Sequence, residues 1–264
     1  MASALSTPNA HPALLALDQV SLTYRTHDRL VTAVDRLDLA VATGDRLVIL
    51  GPSGCGKSTL LKAIAGFVKP SGGRIALDGR IVERPGPDRM MVFQDFDQLF
   101  PWQTVLANVT YALKVTKAVE PARRTAEALA VIAQVGLTAF AGAYPHTLSG
   151  GMRQRVAIAR ALAVRPRVLL MDEPYAALDA LTRQEMQEDL VRLWRERGFT
   201  LLFVTHSIDE AVRIGSRIIV MSPHPGRFRA EFEGLPPGAA PASRQALQEQ
   251  LEALLFERRD HAAP

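Results

Sequence analysis

Eight residues, Gly51-Pro52-Ser53-Gly54-Cys55-Gly56-Lys57-Ser58, carry the pattern G-x-x-x-x-G-K-[ST]. Glycine-rich backbone of this spacing can curl its N–H groups around phosphate oxygens, and a helix starting at its end adds a positive N-terminal dipole. Lys57 is placed to reach the β- and γ-phosphates of a nucleotide and the Ser58 hydroxyl to ligate Mg²⁺, with Thr59 next in the same helix start. A nucleotide-bound metal also needs an acidic anchor. Leu169-Leu170-Met171-Asp172-Glu173 supplies one, an apolar strand ending in two carboxylates. Asp172 would hold Mg²⁺, directly or through water, and Glu173 would polarise an attacking water as general base. Each element alone has a plainer reading, a glycine-rich turn or a solvated strand end. Together they predict binding and hydrolysis of ATP with Mg²⁺.

These groups need elements to hold them. Leu14 to Tyr24 and Val31 to Leu39 read as strands, and Arg46 to Leu50 as a short buried one leading into the loop. Ser58 to Phe67 has Leu60, Leu61, Ile64 and Phe67 at helical spacing and ends at the turn cluster Lys69-Pro70-Ser71-Gly72-Gly73. Short strands are expected at Arg74 to Leu77 and Met90 to Phe93. From Val105 to about Leu137 the pattern is helical, split near Glu120-Pro121, and a helix fits Gly151 to Val164. Strand Val168 to Met171, helix Ala180 to Glu196, strand Thr200 to Val204, helix Ile208 to Ile214 and strand Arg217 to Met221 follow. Such alternation implies an α/β fold with a mainly parallel sheet. The strand-free stretch 102–160 predicts a separate helical lobe. Ser222-Pro223-His224-Pro225-Gly226 and Gly234 to Pro241 read as connectors, and Ser243 to Arg259 as an amphipathic helix with Leu247, Leu251, Leu254 and Leu255 on one face.

The 264 residues suit one large α/β domain or one domain plus a small appendage. The net charge of +4 is scattered, which favours an ordinary solvated surface, and no nucleic-acid partner is expected. Cys55 is the single cysteine, so no internal disulfide can form and a reducing compartment fits. Met1 to Ala13 is small and polar, without the basic then apolar order of a secretory signal, and reads as a flexible tail. No run approaches the ~18 apolar residues of a membrane helix. The longest, Val156 to Met171, is broken by Arg160, Arg165 and Arg167. A cytosolic protein that meets a membrane only through partners is the expectation.

Between the loop and the acidic strand stands Leu148-Ser149-Gly150-Gly151-Met152-Arg153-Gln154-Arg155. By itself Ser-Gly-Gly is a good helix start, with Ser149 as N-cap. In this position it resembles the signature of the ATP-binding subunits of ABC transporters. That resemblance spans residues 14 to about 222. It implies a P-loop NTPase core with an antiparallel β subdomain near the N-terminus and an inserted α-helical subdomain. It also implies a dimer in which Leu148, Ser149, Gly150 and Gly151 of one copy close on the nucleotide of the other. Tyr24 is similar to the aromatic residue that stacks on adenine, although a core aromatic would look the same in sequence. Gln94 resembles the glutamine that ligates Mg²⁺ and reports to the membrane subunit, Asp179 the acid that communicates across the dimer, and His206 the histidine that contacts the γ-phosphate.

Two positions depart from the usual pattern, Met152 where glutamine is commoner and Ala176 where serine is. Neither removes a phosphate contact or a metal ligand. Met152-Arg153-Gln154-Arg155, Met91-Val92-Phe93-Gln94 with Leu99-Phe100-Pro101-Trp102, and Met221 to Arg227 look like the branch importing nitrate, sulfonates, taurine and related solutes. The resemblance then implies a peripheral subunit at the cytoplasmic face of the inner membrane, beside permease subunits and indirectly a solute-binding protein. Phe96, Leu99, Phe100 and Trp102 would anchor the permease, or else fill the core of the helical lobe. An importer for another small solute such as a vitamin precursor, a non-transport ABC ATPase and a P-loop small-molecule kinase are the competing readings. The chain lacks the paired ATPase units or long coiled coil of the second, and the third has no use for Leu148 to Gly151 or His206.

Overall fold

The computed structural model describes residues 13–25, 29–94 and 98–256. Most of the expected N-terminal tail, Phe96 and the last residues of the expected terminal helix lie outside them. Two sheets organise the chain. Strands β1 (Leu15–Arg25), β2 (Leu30–Val41), β4 (Gly72–Leu77) and β5 (Arg80–Ile81) form an antiparallel sheet in the order β2-β1-β4-β5. Strands β3 (Arg46–Leu50), β6 (Arg89–Val92), β7 (Val168–Asp172), β8 (Thr200–Thr205), β9 (Arg217–Met221) and β10 (Phe228–Glu233) form the other, ordered β10-β9-β3-β8-β7-β6. All its pairs are parallel except β10 with β9.

The central strands are continuous apolar runs because both of their faces are covered. Alternation assigns each side chain to one of two cores. Val48, Leu50, Leu169, Met171, Leu201, Phe203, Ile218 and Val220 pack on the helical side. Leu47, Ile49, Val168, Leu170, Leu202, Val204, Ile219 and Met221 face α1 (Lys57–Ala65) and the antiparallel sheet. A one-residue slip in any of these strands would exchange the two sets, so the register is tightly specified.

Helices α2 (Val105–Thr116), α3 (Arg124–Gln134) and the start of α4 (Gly150–Ala163) make up the strand-free stretch, joined by short 3₁₀ turns. Its interior holds Val105, Val109, Leu113, Val131 and Ile132. Helices α5 (Ala180–Arg197), α6 (Ile208–Ile214) and α7 (Pro241–Phe256) complete the helical layer. Leu247 and Leu251 of α7 are buried and Leu254 and Leu255 partly so, as the apolar stripe required. Among the described residues no helix is long and apolar enough to cross a membrane.

Two strands escaped the sequence reading. β5 is two residues of a hairpin closed by Asp78-Gly79. β10, Phe-Arg-Ala-Glu-Phe-Glu, lies between the two Pro/Gly-rich stretches and is an edge strand with mixed exposure. Its charges suit an unpaired edge and mask its β character.

Candidate nucleotide site

The parallel strands all point one way, so their C-terminal ends share one rim of the sheet. At this rim β3 delivers Gly51 to Ser58, β7 delivers Asp172 and Glu173, β8 delivers Thr205 and His206, and β6 ends two residues before Gln94. Ligands of open α/β sheets bind outside the carboxyl ends of the strands.

The loop's shape follows from its glycines. Gly54 and Gly56 have φ of 78° and 97°, in the left-handed region that favours glycine. At Gly56 a Cβ would also stand 2.4 Å from the Ala33 carbonyl of β2. Lys57 is 3% exposed and its Nζ donates to the carbonyls of Gly51 (2.8 Å) and Pro52 (2.9 Å), arching over the loop. The same ammonium lies 3.6 Å from Glu173 Oε1. Cys55 is buried against this arch, and burial pushes its thiol up, towards the protonated form. Pro52, Ser53 and Thr59 are partly to fully exposed.

Ser58 Oγ donates to Asp172 Oδ1 at 2.8 Å. Burial raises the Asp172 pKa, and the Ser58 hydrogen bond pulls it back in part. Glu173 occupies φ 42°, a left-handed conformation costing on the order of 1–3 kcal/mol for a residue of this kind. Its N–H donates to Val204 O over 3.0 Å, and its Oε2 lies 2.9 Å from His206 Nδ1. Glu173 thus touches both the loop lysine and the β8 histidine.

The two expected helix starts hold. Ser149 Oγ accepts from Met152 N–H (3.2 Å) and Asp179 Oδ1 from Thr182 N–H (3.0 Å). The Thr182 hydrogen bonds lower the pKa of the fully exposed Asp179 carboxyl. Gly151 lets α4 and α5 approach, since a Cβ there would meet Thr182 Cγ2 at 2.8 Å. Leu148 is buried beneath, while Ser149 and Leu181 face outward. Arg183 ties the Asp179 turn to α5 by donating to Tyr175 O (3.3 Å) and Leu178 O (2.7 Å).

Tyr24 is half exposed at the end of β1, opposite Val31 and two residues from the β2 segment that abuts Gly56; it is no core aromatic. Gln94 is exposed. The three expected anchors that lie within the described residues divide. Trp102 is 71% exposed, with Phe100 between it (5.6 Å) and Tyr111 (4.9 Å). Leu99 takes the other of its two expected places: it is 4% exposed and belongs to the core cluster that also holds Val105, Val109 and Leu113, so it is no permease anchor.

Several residues at the rim were not singled out from sequence. Gly226 presses on the loop from behind, where a Cβ would stand 2.1 Å from Cys55 O; it also donates to Ala33 O at 2.9 Å. Glu210 and Gln187 are buried beneath His206. Ser207-Ile208-Asp209-Glu210 has the S-x-x-E form of a capping box, a signal that would have marked Glu210.

A sequence model of the ABC transporter family matches residues 34–176. The taurine import ATP-binding protein of Rhizobium johnstonii is 52% identical over 221 residues, 83% of this chain and 84% of that one. This chain belongs to the ABC transporter family. The bicarbonate transport ATP-binding protein of Synechococcus elongatus is 43% identical over 230 residues, 86% of this chain and 81% of its own. An ATP-binding cassette solved as a dimer in a post-hydrolysis state with ADP and Pi superposes with a TM-score of 0.73 at 35% identity, covering 84% of this chain and 99% of that one. Family membership makes the chain an ATP-binding ATP hydrolase.

Proposed function

We propose that this chain is the ATP-hydrolysing subunit of an importer for a small sulfonate of the taurine type, working as an ATP-sandwich dimer at the cytoplasmic face of the membrane. The convergence of Lys57, Asp172, Glu173 and His206 from three strand ends around one loop carries the reading. The taurine import relatives, at 48–52% identity, support the solute class.

Lys57 and the loop amides bind the β- and γ-phosphates, and Tyr24 stacks on adenine. The oxygen donors Ser58 and Asp172 fit Mg²⁺, a hard cation that keeps few protein ligands beside phosphate oxygens and water; Gln94 is the third candidate. Held there, Mg²⁺ would neutralise charge developing on the phosphates. Glu173 accepts a proton from the attacking water, whose oxygen bonds to the γ-phosphorus as the bond to the β–γ bridging oxygen breaks, giving ADP and Pi. His206 holds the γ-phosphate and fixes Glu173 through Nδ1.

The second half of each site comes from a second copy. Ser149, Gly151 and Asp179 lie where α4 and α5 begin, two positive helix ends side by side with their caps turned outward. Such a face suits the γ-phosphate held by the partner. Closure then assembles the catalytic site, and loss of the γ-phosphate reopens it. The exposed Trp102 and Phe100 suit the permease.

The deciding experiment reconstitutes the chain with its permease in vesicles and measures hydrolysis with solute-loaded binding protein. Stimulation by taurine and not by bicarbonate or nitrate is expected. Hydrolysis that ignores every sulfonate would refute the solute assignment.

A further inference from the structure

We propose that Glu210 is a positioning residue for His206, acting through the hydroxyl of Thr205. The inference rests on the reading of His206 as the γ-phosphate contact. In an ordinary capping box the glutamate three residues into the helix accepts the N–H of the N-cap residue. Here Ser207 caps α6, with its Oγ accepting the Glu210 N–H at 3.4 Å, but the return bond is different. The Ser207 N–H donates to Thr205 Oγ1 at 3.0 Å, and Thr205 Oγ1 in turn donates to Glu210 Oε2. One hydroxyl is therefore inserted into the box, and the residue it brackets, between Thr205 and Ser207, is His206.

The bracket is rigid because it is dry. Thr205 is 1% exposed and Glu210 4%. The other carboxylate oxygen, Oε1, accepts from Gln187 Nε2 of α5 at 3.4 Å, and Gln187 is 2% exposed. Buried hydrogen bonds of this kind resist rearrangement, since a broken one leaves a polar group without water or partner. By contrast the His206 side chain is 53% exposed, and its ring meets Glu173 Oε2 through Nδ1 at 2.9 Å. Packing does not fix that ring. What fixes its backbone is the Thr205–Glu210–Ser207 bracket. Through Gln187 the bracket is also joined to α5, which Asp179 caps and whose first turn meets Gly151.

The test is steady-state ATP hydrolysis by the full chain carrying Thr205→Val, which keeps the shape and removes the hydroxyl. Misplacing a reacting group by about 1 Å costs up to about 100-fold, so kcat should fall about 10- to 100-fold while KM for ATP stays within about threefold. Thr205→Ser, which retains the hydroxyl, should recover most of that loss. In a His206→Ala background Thr205→Val should have no further effect on residual turnover, because its effect passes through the missing imidazole. Turnover of Thr205→Val within about twofold of the parent would overturn the proposal. So would an equal fold-loss with and without His206, which would mark a general structural effect. Full turnover by His206→Ala alone would instead remove the reading of His206 on which the bracket depends. Retained ATP affinity in Thr205→Val separates these outcomes from misfolding.

Discussion

Glu173 stands between two partners, with Oε1 3.6 Å from the Lys57 ammonium and Oε2 2.9 Å from His206 Nδ1. A carboxylate held at both oxygens is oriented in advance, and its left-handed backbone shows that the chain tolerates strain to place it there.

Glu173→Gln keeps the size and removes the base. Turnover should fall by about 100-fold or more, the usual contribution of a general base, while ATP affinity measured by equilibrium binding stays within a few-fold. Because the closed sandwich would then persist, size-exclusion chromatography with ATP should show a dimer. Undiminished hydrolysis would exclude Glu173 as base.

Gly226→Ala would set a methyl group 2.1 Å from the Cys55 carbonyl. Backbone cannot yield cheaply, so the loop must shift. We expect a loss of roughly 1–3 kcal/mol in stability from overpacking and an ATP affinity weakened at least about tenfold, about 1.4 kcal/mol. A variant with normal melting and normal affinity would show that the contact is dispensable.

Trp102→Ala acts elsewhere. Its ring is mostly in solvent, so unfolding by urea should change by no more than about 0.5 kcal/mol, and ATP hydrolysis by the free chain should be unchanged. Recovery of the permease in pull-downs should drop several-fold, as for an aromatic hot spot of about 1–2 kcal/mol. Equal recovery would leave the aromatic group without a role at that interface.

Glu210 gives a pH signature. Burial raises its pKa, the Thr205 and Gln187 bonds lowering it only in part. A carboxyl raised in the folded state is protonated in both states well below its unfolded value near ~4.3, and there it adds no pH-dependent penalty. As pH climbs from that value through the folded one, the unfolded chain ionises first and stability declines. Glu210→Gln does not titrate, so its stability relative to the parent should improve between about pH 4 and pH 7. A constant difference in urea midpoints across that range would contradict the burial-raised carboxyl.

Much of the candidate site was legible because its motifs are local. Residues 51–58, 148–151 and 172–173 each announce a turn or strand end by their own composition, and β3, α6 and β9 begin and end where hydrophobic runs do. Non-local contacts were not legible. Nothing near Ser222-Pro223-His224-Pro225-Gly226 tells that Gly226 backs a loop some 170 residues earlier in the chain. Likewise Leu99 and Trp102 look alike as apolar residues three apart, and only tertiary packing buries one and leaves the other in water.

The order of strands also says when the loop can take shape. β3 lies between β8 and β9, which span 200–205 and 217–221, so the strand that presents the loop has no sheet partner until the last quarter of the chain exists. On a ribosome, Leu47-Val48-Ile49-Leu50 must wait unpaired through the synthesis of about 150 further residues, and such delayed long-range pairing is slow and exposed to aggregation. A nascent or truncated chain ending before residue 200 would carry every residue of the phosphate loop and yet offer nucleotide no pocket.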